Sequence, residues 1–125
     1  WTLPGGFMEN GETVTEGALR EAFEEATARG KIGPLLAIYH TPNKANVMMI
    51  FRMEMSTAEA RAGIESQEVK FFDWKDIPWN DLAFPMVERA LKQYERTKGL
   101  TDFQPEIAIM PPIVPPPVAG AKPQP

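Results

Sequence analysis

The prolines of this chain are spread so unevenly that they decide where a fold can be. Of 13 in 125 residues, eight lie between Pro105 and Pro125. The run from Pro111 to Val118, Pro-Pro-Ile-Val-Pro-Pro-Pro-Val, can sustain neither a helix nor a central strand, because each ring fixes φ and removes a backbone donor. Residues 100–125 are therefore expected to be a Pro-rich, disordered tail. A P-x-x-P ligand through Pro112 and Pro115 is the alternative to a plain solvated extension. Residues 1–99 remain as one folded domain with a single core.

Within that domain, Thr13-Val-Thr-Glu16 is a capping-box pattern, and Val14, Ala18, Ala22 and Ala26, flanked by Leu19 and Phe23, recur at helical spacing. Residues 35–41 and 47–55 read as two strands joined by a turn over Pro42-Asn-Lys-Ala-Asn46. Residues 69–74 (Val-Lys-Phe-Phe-Asp-Trp) read as a third strand. From Pro85 to Arg96, one helical face carries Met86, Val87, Ala90, Leu91 and Tyr94. Strands and helices interleave, so the fold class is α/β (α+β), built in layers.

Composition excludes several classes of function. At 43% hydrophobic and 24% charged with net charge −4, the chain reads as soluble and globular and lacks the basic patch that nucleic-acid binding needs. It has no apolar run near the roughly 20 residues of a membrane span, so neither a nucleic acid nor a membrane is an expected partner. Without cysteine there is no disulfide, thiolate metal site or cysteine nucleophile, and a cytoplasmic address is expected. The chain opens on Trp1-Thr-Leu-Pro, with no initiator methionine and no signal-peptide pattern, which suggests processing or truncation.

The stretch from Gly6 to Ala28 holds Glu9, Glu12, Glu16, Glu21, Glu24 and Glu25 against one basic residue, Arg20. Glu21, Glu24 and Glu25 stand at i, i+3 and i+4, within an arc of roughly 100° on one helix face. Like charges at those spacings repel, and they lie in the helix's second half, where the macrodipole also disfavours anions. A sequence that breaks a local rule points to a functional site, and clustered carboxylates are what Mg2+ or Mn2+ requires. Gly5 and Gly6 precede the helix and allow the backbone to approach a ligand closely, so a carbonyl there can join the cation's ligands. A cation so held suits chemistry on a diphosphate, which a bare acidic helix would repel.

Written out, Gly6-x5-Glu12-x7-Arg20-Glu21-Ala22-Phe23-Glu24-Glu25-Ala26-Thr27-Ala28 resembles the Nudix box, G-x5-E-x7-R-E-U-x-E-E-x-G-U with U aliphatic, and has six of its seven fixed residues. Thr27 stands where the family has glycine, and alanine fills both aliphatic positions, Ala22 and Ala28. A glycine there ends the helix, so Thr27 predicts a helix about one turn longer, stopping near Gly30. Trp1-Thr-Leu-Pro-Gly-Gly-Phe-Met-Glu9, Glu65-Ser-Gln-Glu-Val69 and Ile77-Pro-Trp-Asn-Asp-Leu-Ala-Phe-Pro85 are similar to the Nudix subgroup with an N-terminal zinc ribbon, which includes FAD and ADP-ribose pyrophosphatases.

The resemblance implies an α/β/α sandwich with a mixed sheet. It implies metal ligation by the Gly5 carbonyl, Glu21 and Glu25, with Glu24 as a further ligand. Arg20 would orient Glu24, Glu12 would brace the loop and helix, and Gly6 would support the turn. Glu68, with Glu65 second, would be the general base, alongside Glu24 and Glu25 as catalytic groups. His40, the only histidine, reads as a packed or surface imidazole rather than a catalytic one; Trp1, Tyr39 and Phe51 read as core, with stacking on a nucleotide base the alternative, and Met48, Met49, Met53 and Met55 as strand packing.

Nudix domains begin with strands upstream of the W-x-L-P-G-G segment, so the sheet is expected to lack its N-terminal strands, and an open edge invites a homodimer. The function implied is Mg2+-dependent hydrolysis of a nucleoside diphosphate derivative, FAD or ADP-ribose, to a nucleoside monophosphate and a phosphorylated remainder. A nucleoside triphosphate or dinucleoside polyphosphate is the alternative substrate. A catalytically poor nucleotide-binding regulatory domain is the rival from another class.

Overall fold

The computed structural model describes residues 1–110. The conformation expected for residues 111–125, and the P-x-x-P segment within them, lie outside the described residues. Two helices and three strands build the domain: α1 Val14–Ala26, β1 Gly30–Thr41, β2 Asn46–Met55, α2 Pro85–Thr97 and β3 Glu106–Ile109. The strands form one mixed sheet in the order β2-β1-β3. The β1–β2 hairpin is antiparallel, and β3 lies parallel to β1.

The helices take opposite faces of this sheet. On one face, Ala90, Met86 and Tyr94 of α2 pack with Leu36, Ala37, Tyr39, Ile50 and Ala108. Ala22 and Ala26 of α1, with Ala28, pack against Met53 and Met55. Ile50 and Met53 differ in parity along β2 and so point to opposite faces. The register slips twice along β1, between Ile32 and Leu35 and between Leu35 and Ala37. Pro34, which has no donor for the ladder, falls in the first slip, where a strand tolerates it. The second slip turns both Leu36 and Ala37 into the core.

Three expectations are corrected. Residues 69–74 form no strand. Both sheet positions beside β1 are taken, by β2 and β3, and the segment packs by its side chains instead. Val69 joins the α1 cluster, and Phe72 meets Trp1 edge-on with ring centroids 5.0 Å apart.

The third strand is instead Glu106–Ile109, inside the segment expected to be tail. This run contains no proline, and its Ala108 and the following Met110 pack in the core. The folded domain therefore extends beyond residue 99. Finally, α1 does not run on past Thr27. Thr27 takes the left-handed conformation, φ 54°, that the family's glycine would take, and its N–H closes on Phe23. Its Oγ1 donates to the Arg61 carbonyl at 3.1 Å, and this bond offsets part of the roughly 1–2 kcal/mol that a non-glycine residue costs there.

Of the four methionines expected as strand packing, Met53 and Met55 sit against α1, while Met48 and Met49 are exposed. His40 is exposed at the end of β1, between Val47 and Ile109. Tyr39 is fully buried, as expected of core.

Candidate metal centre

The Thr13 capping box forms in full: Glu16 N–H donates to Thr13 Oγ1 at 3.2 Å, and Thr13 N–H donates back to Glu16. This fixes where α1 begins and so the phase of the acidic face. Gly11, at φ 86°, turns the chain into that cap, and Glu9 N–H donates to Glu12 Oε1 at 2.7 Å. Glu12 thus meets both the Glu9 amide and the Arg20 guanidinium.

Arg20 is the hub of the site. Its Nε donates to Glu12 at 2.6 Å, while Nη1 lies 2.9 Å from Glu21, 3.1 Å from Glu24 and 3.6 Å from Glu9. Nη2 donates to the Phe7 carbonyl at 3.0 Å, which ties the glycine turn to the helix. One guanidinium therefore faces four carboxylates, a broader task than orienting Glu24 alone. Hydrogen bonds to Glu12 and then Glu21 push the guanidinium above its already high value. The bond from Arg20, helped by the Glu9 amide, holds the Glu12 carboxyl below the usual range.

Glu25 is treated differently. It has no ion pair with a basic residue among the described residues, and its Oε2 accepts from the Gly5 N–H at 3.2 Å. Burial raises its affinity for a proton; the Gly5 bond opposes this, and the neighbouring Glu21 carboxylate reinforces it. Glu21 lies against Gly6 so closely that any Cβ on that residue would run into its carboxylate. The structure thus brings Gly5, Gly6, Glu21 and Glu25 together. Glu24 is turned to Arg20 and is more than half exposed. Among the described residues no three acidic or histidine side chains converge as they stand on one metal position.

The loop after β2, of which sequence reasoning singled out only the stretch from Glu65 to Val69, closes over the C-terminal end of α1. Arg61 N–H donates to the Ala26 carbonyl at 2.8 Å, and Gly63 N–H donates to Glu25 at 3.0 Å. Ser66 Oγ also donates to the Glu25 carbonyl, at 2.8 Å, so helix carbonyls that would otherwise lack partners are satisfied. The one signal for this docking is Gly63, where a Cβ would collide with the Glu24 carbonyl. Glu65 of this loop adds to the negative field that raises Glu25. Glu68 is exposed and makes no hydrogen bond or ion pair among the described residues.

A sheet between two helices, with an acid-rich face behind a glycine turn, defines a class, and comparison with known proteins identifies it. The NUDIX domain model matches residues 1–96, and the chain belongs to that family. It is 36% identical over 103 residues to an ADP-ribose pyrophosphatase of Methanocaldococcus jannaschii, covering 79% of this chain and 59% of that protein. It also matches the crystal structure of a NUDIX hydrolase from Nitrosomonas europaea, with TM-score 0.79 and 44% identity, over 88% of this chain and 64% of that one. A shorter match, 37% identical over 51 residues, is to diphosphoinositol polyphosphate phosphohydrolase 2 of Homo sapiens, covering 41% of this chain and 28% of that protein. The chain thus spans less than two thirds of the length of each of these relatives.

Proposed function

We propose that this chain carries the catalytic centre of a Mg2+- or Mn2+-dependent pyrophosphohydrolase acting on a nucleoside diphosphate derivative, with ADP-ribose the first substrate to try and FAD the second. The observation that carries this reading is the juxtaposition of Glu21 and Glu25 against the Gly5-Gly6 turn, with Arg20 the one guanidinium among five glutamates. The name of the archaeal relative favours ADP-ribose.

The donor set fits a hard divalent cation. Two adjacent carboxylates, one of them pushed toward its protonated form by burial and by the other's charge, form a pair that such a cation relieves. Glu21, Glu25 and the Gly5 backbone would hold it, and Glu24, more than half exposed, would join on turning away from Arg20. The cation would neutralise the diphosphate oxygens and favour attack by water on phosphorus.

The chain's own residues do the remaining work. Arg20 holds Glu21 in place, and Glu12 holds Arg20. A glutamate of the docked loop accepts the proton of the attacking water. Glu65 suits that role because its neighbour Ser66 is bound to the Glu25 carbonyl, and Glu68 is the alternative.

The test is to incubate the chain with Mg2+ and ADP-ribose, FAD, a nucleoside triphosphate and a dinucleoside polyphosphate, and to measure the products. AMP and ribose 5-phosphate are expected from ADP-ribose. Nucleotide binding without turnover of any of the four would favour the regulatory alternative instead.

A further inference from the structure

At the C-terminal end of the helix that bears the acidic face, the loop after β2 shapes an open groove of about 420 Å3, lined by Ala58, Glu59, Ala60, Arg61 and Phe71. Phe71 is 58% exposed, so its ring does no duty in the core. The backbone of Arg61 is used twice, its N–H donating to Ala26 and its carbonyl accepting from Thr27. Its guanidinium makes no hydrogen bond or ion pair among the described residues. The bonds from Arg61, Gly63 and Ser66 fasten this loop to the backbone of Glu25 and Ala26. The groove is therefore fixed relative to the helix that bears the candidate ligands.

We propose that this groove is the subsite for the nucleoside half of the substrate, with the base stacked on Phe71, a phosphate or ring acceptor on Arg61 and a ribose hydroxyl on Glu59. The inference rests on the pyrophosphohydrolase reading above and names the residues that recognise the nucleoside half of its substrate. An aromatic plane, one cation and one acceptor match a nucleoside phosphate, whose base offers a π face and whose ribose offers donors. The two alanines leave room beside the ring.

The human relative is named for diphosphoinositol polyphosphates, and such compounds fit the groove poorly. An inositol ring has no π face for Phe71. Its crowded phosphates call for several cations, whereas Arg61 is the only cation among the described residues that line the groove and Glu59 opposes them.

The experiment uses the full chain and its Phe71→Ala, Phe71→Trp and Arg61→Ala variants. KM and kcat are measured for ADP-ribose and for a diphosphoinositol polyphosphate, and AMP binding is measured by calorimetry without divalent cations. Phe71→Ala is expected to raise KM for ADP-ribose and weaken AMP binding by about tenfold, the scale of one lost stacking contact, with kcat nearly kept. Phe71→Trp is expected to restore both, and Arg61→Ala to weaken AMP more than adenosine. If ADP-ribose is hydrolysed and neither its KM nor AMP affinity moves in Phe71→Ala and Arg61→Ala, the groove assignment falls while the activity stands. Turnover of the inositol compound at the ADP-ribose rate would also overturn it. If no diphosphate is turned over but AMP binding still depends on Phe71, the catalytic reading fails and the groove assignment survives.

Discussion

Two charged clusters on opposite sides of the sheet combine glutamate and arginine to different ends. At the α2 side, Glu106 accepts from Tyr39 at 2.8 Å, from Arg89 at 2.8 Å and from Arg96 at 3.0 Å. One acid meets two guanidinium groups and a phenol. Burial resists its charge, but the bonds from Arg89 and Tyr39 outweigh this and leave the carboxyl below the usual range. Tyr39, buried and donating to that carboxylate, is pushed above its ordinary value. At the α1 side, Arg20 serves Glu9, Glu12, Glu21 and Glu24, and Glu25 is raised rather than lowered. A cluster whose charges balance works as a clasp, here fastening β3 to β1 and α2. One with surplus negative charge is costly for the fold and suits a cation from outside.

The sharpest way to break this contrast is Glu25→Gln. Loss of residues that merely support a metal ligand typically lowers activity about 10- to 100-fold, so loss of a ligand is expected to lower ADP-ribose hydrolysis by more than about 100-fold. An unchanged rate would remove Glu25 from the site. The same variant carries a pH signature. A carboxyl whose folded pKa is raised is most favourable to folding below the unfolded value, near 4.5, and its contribution is lost as pH rises through the folded value. Without divalent cations, Glu25→Gln is therefore expected to be more stable than the parent at pH 7 in urea unfolding, and added Mg2+ is expected to reverse the order.

Glu106 has the opposite sign. Its folded pKa is depressed, so its stabilisation is present above the unfolded value of about 4.5 and is lost as pH falls through the folded value. Glu106→Ala is expected to cost about 1–3 kcal/mol at pH 7, because it leaves Tyr39 and two arginines without their acceptor. The penalty is expected to shrink in acid, with kcat for ADP-ribose kept in the folded fraction. A loss that is constant with pH would deny the clasp its charge.

Thr27→Gly should have the smallest effect. Relief of roughly 1–2 kcal/mol of left-handed strain is set against the lost bond to the Arg61 carbonyl, worth about 0.5–1.5 kcal/mol. A change within about 1 kcal/mol is expected. A larger loss in thermal unfolding would mean that the loop, rather than the turn, depends on this side chain.

Much of the fold was legible in local pattern. The capping box located the start of α1, Pro85 the start of α2, and the apolar runs on either side of Pro42–Lys44 the hairpin. Pattern failed where the competing interactions were distant. Apolar residues 69–74 carry a strand-like signal, yet Val69 and Phe72 pack against α1 and Trp1. Glu106–Ile109 was obscured by the prolines around it, although Ala108 and Glu106 have partners awaiting them on β1 and α2. Thr27 predicts continuation by its type, but it takes the left-handed conformation and bonds a residue 34 positions away.

The order of acids along α1 belongs to the sequence alone, because helical geometry gives every residue a fixed angle on the cylinder once a cap sets the phase. Which of those acids pair with Arg20 and which one is instead pushed toward its protonated form were decided only when the glycine turn and the docked loop came against the helix. Spacing along a chain specifies direction, whereas burial and opposing charge depend on whatever else the folded chain brings to the same point.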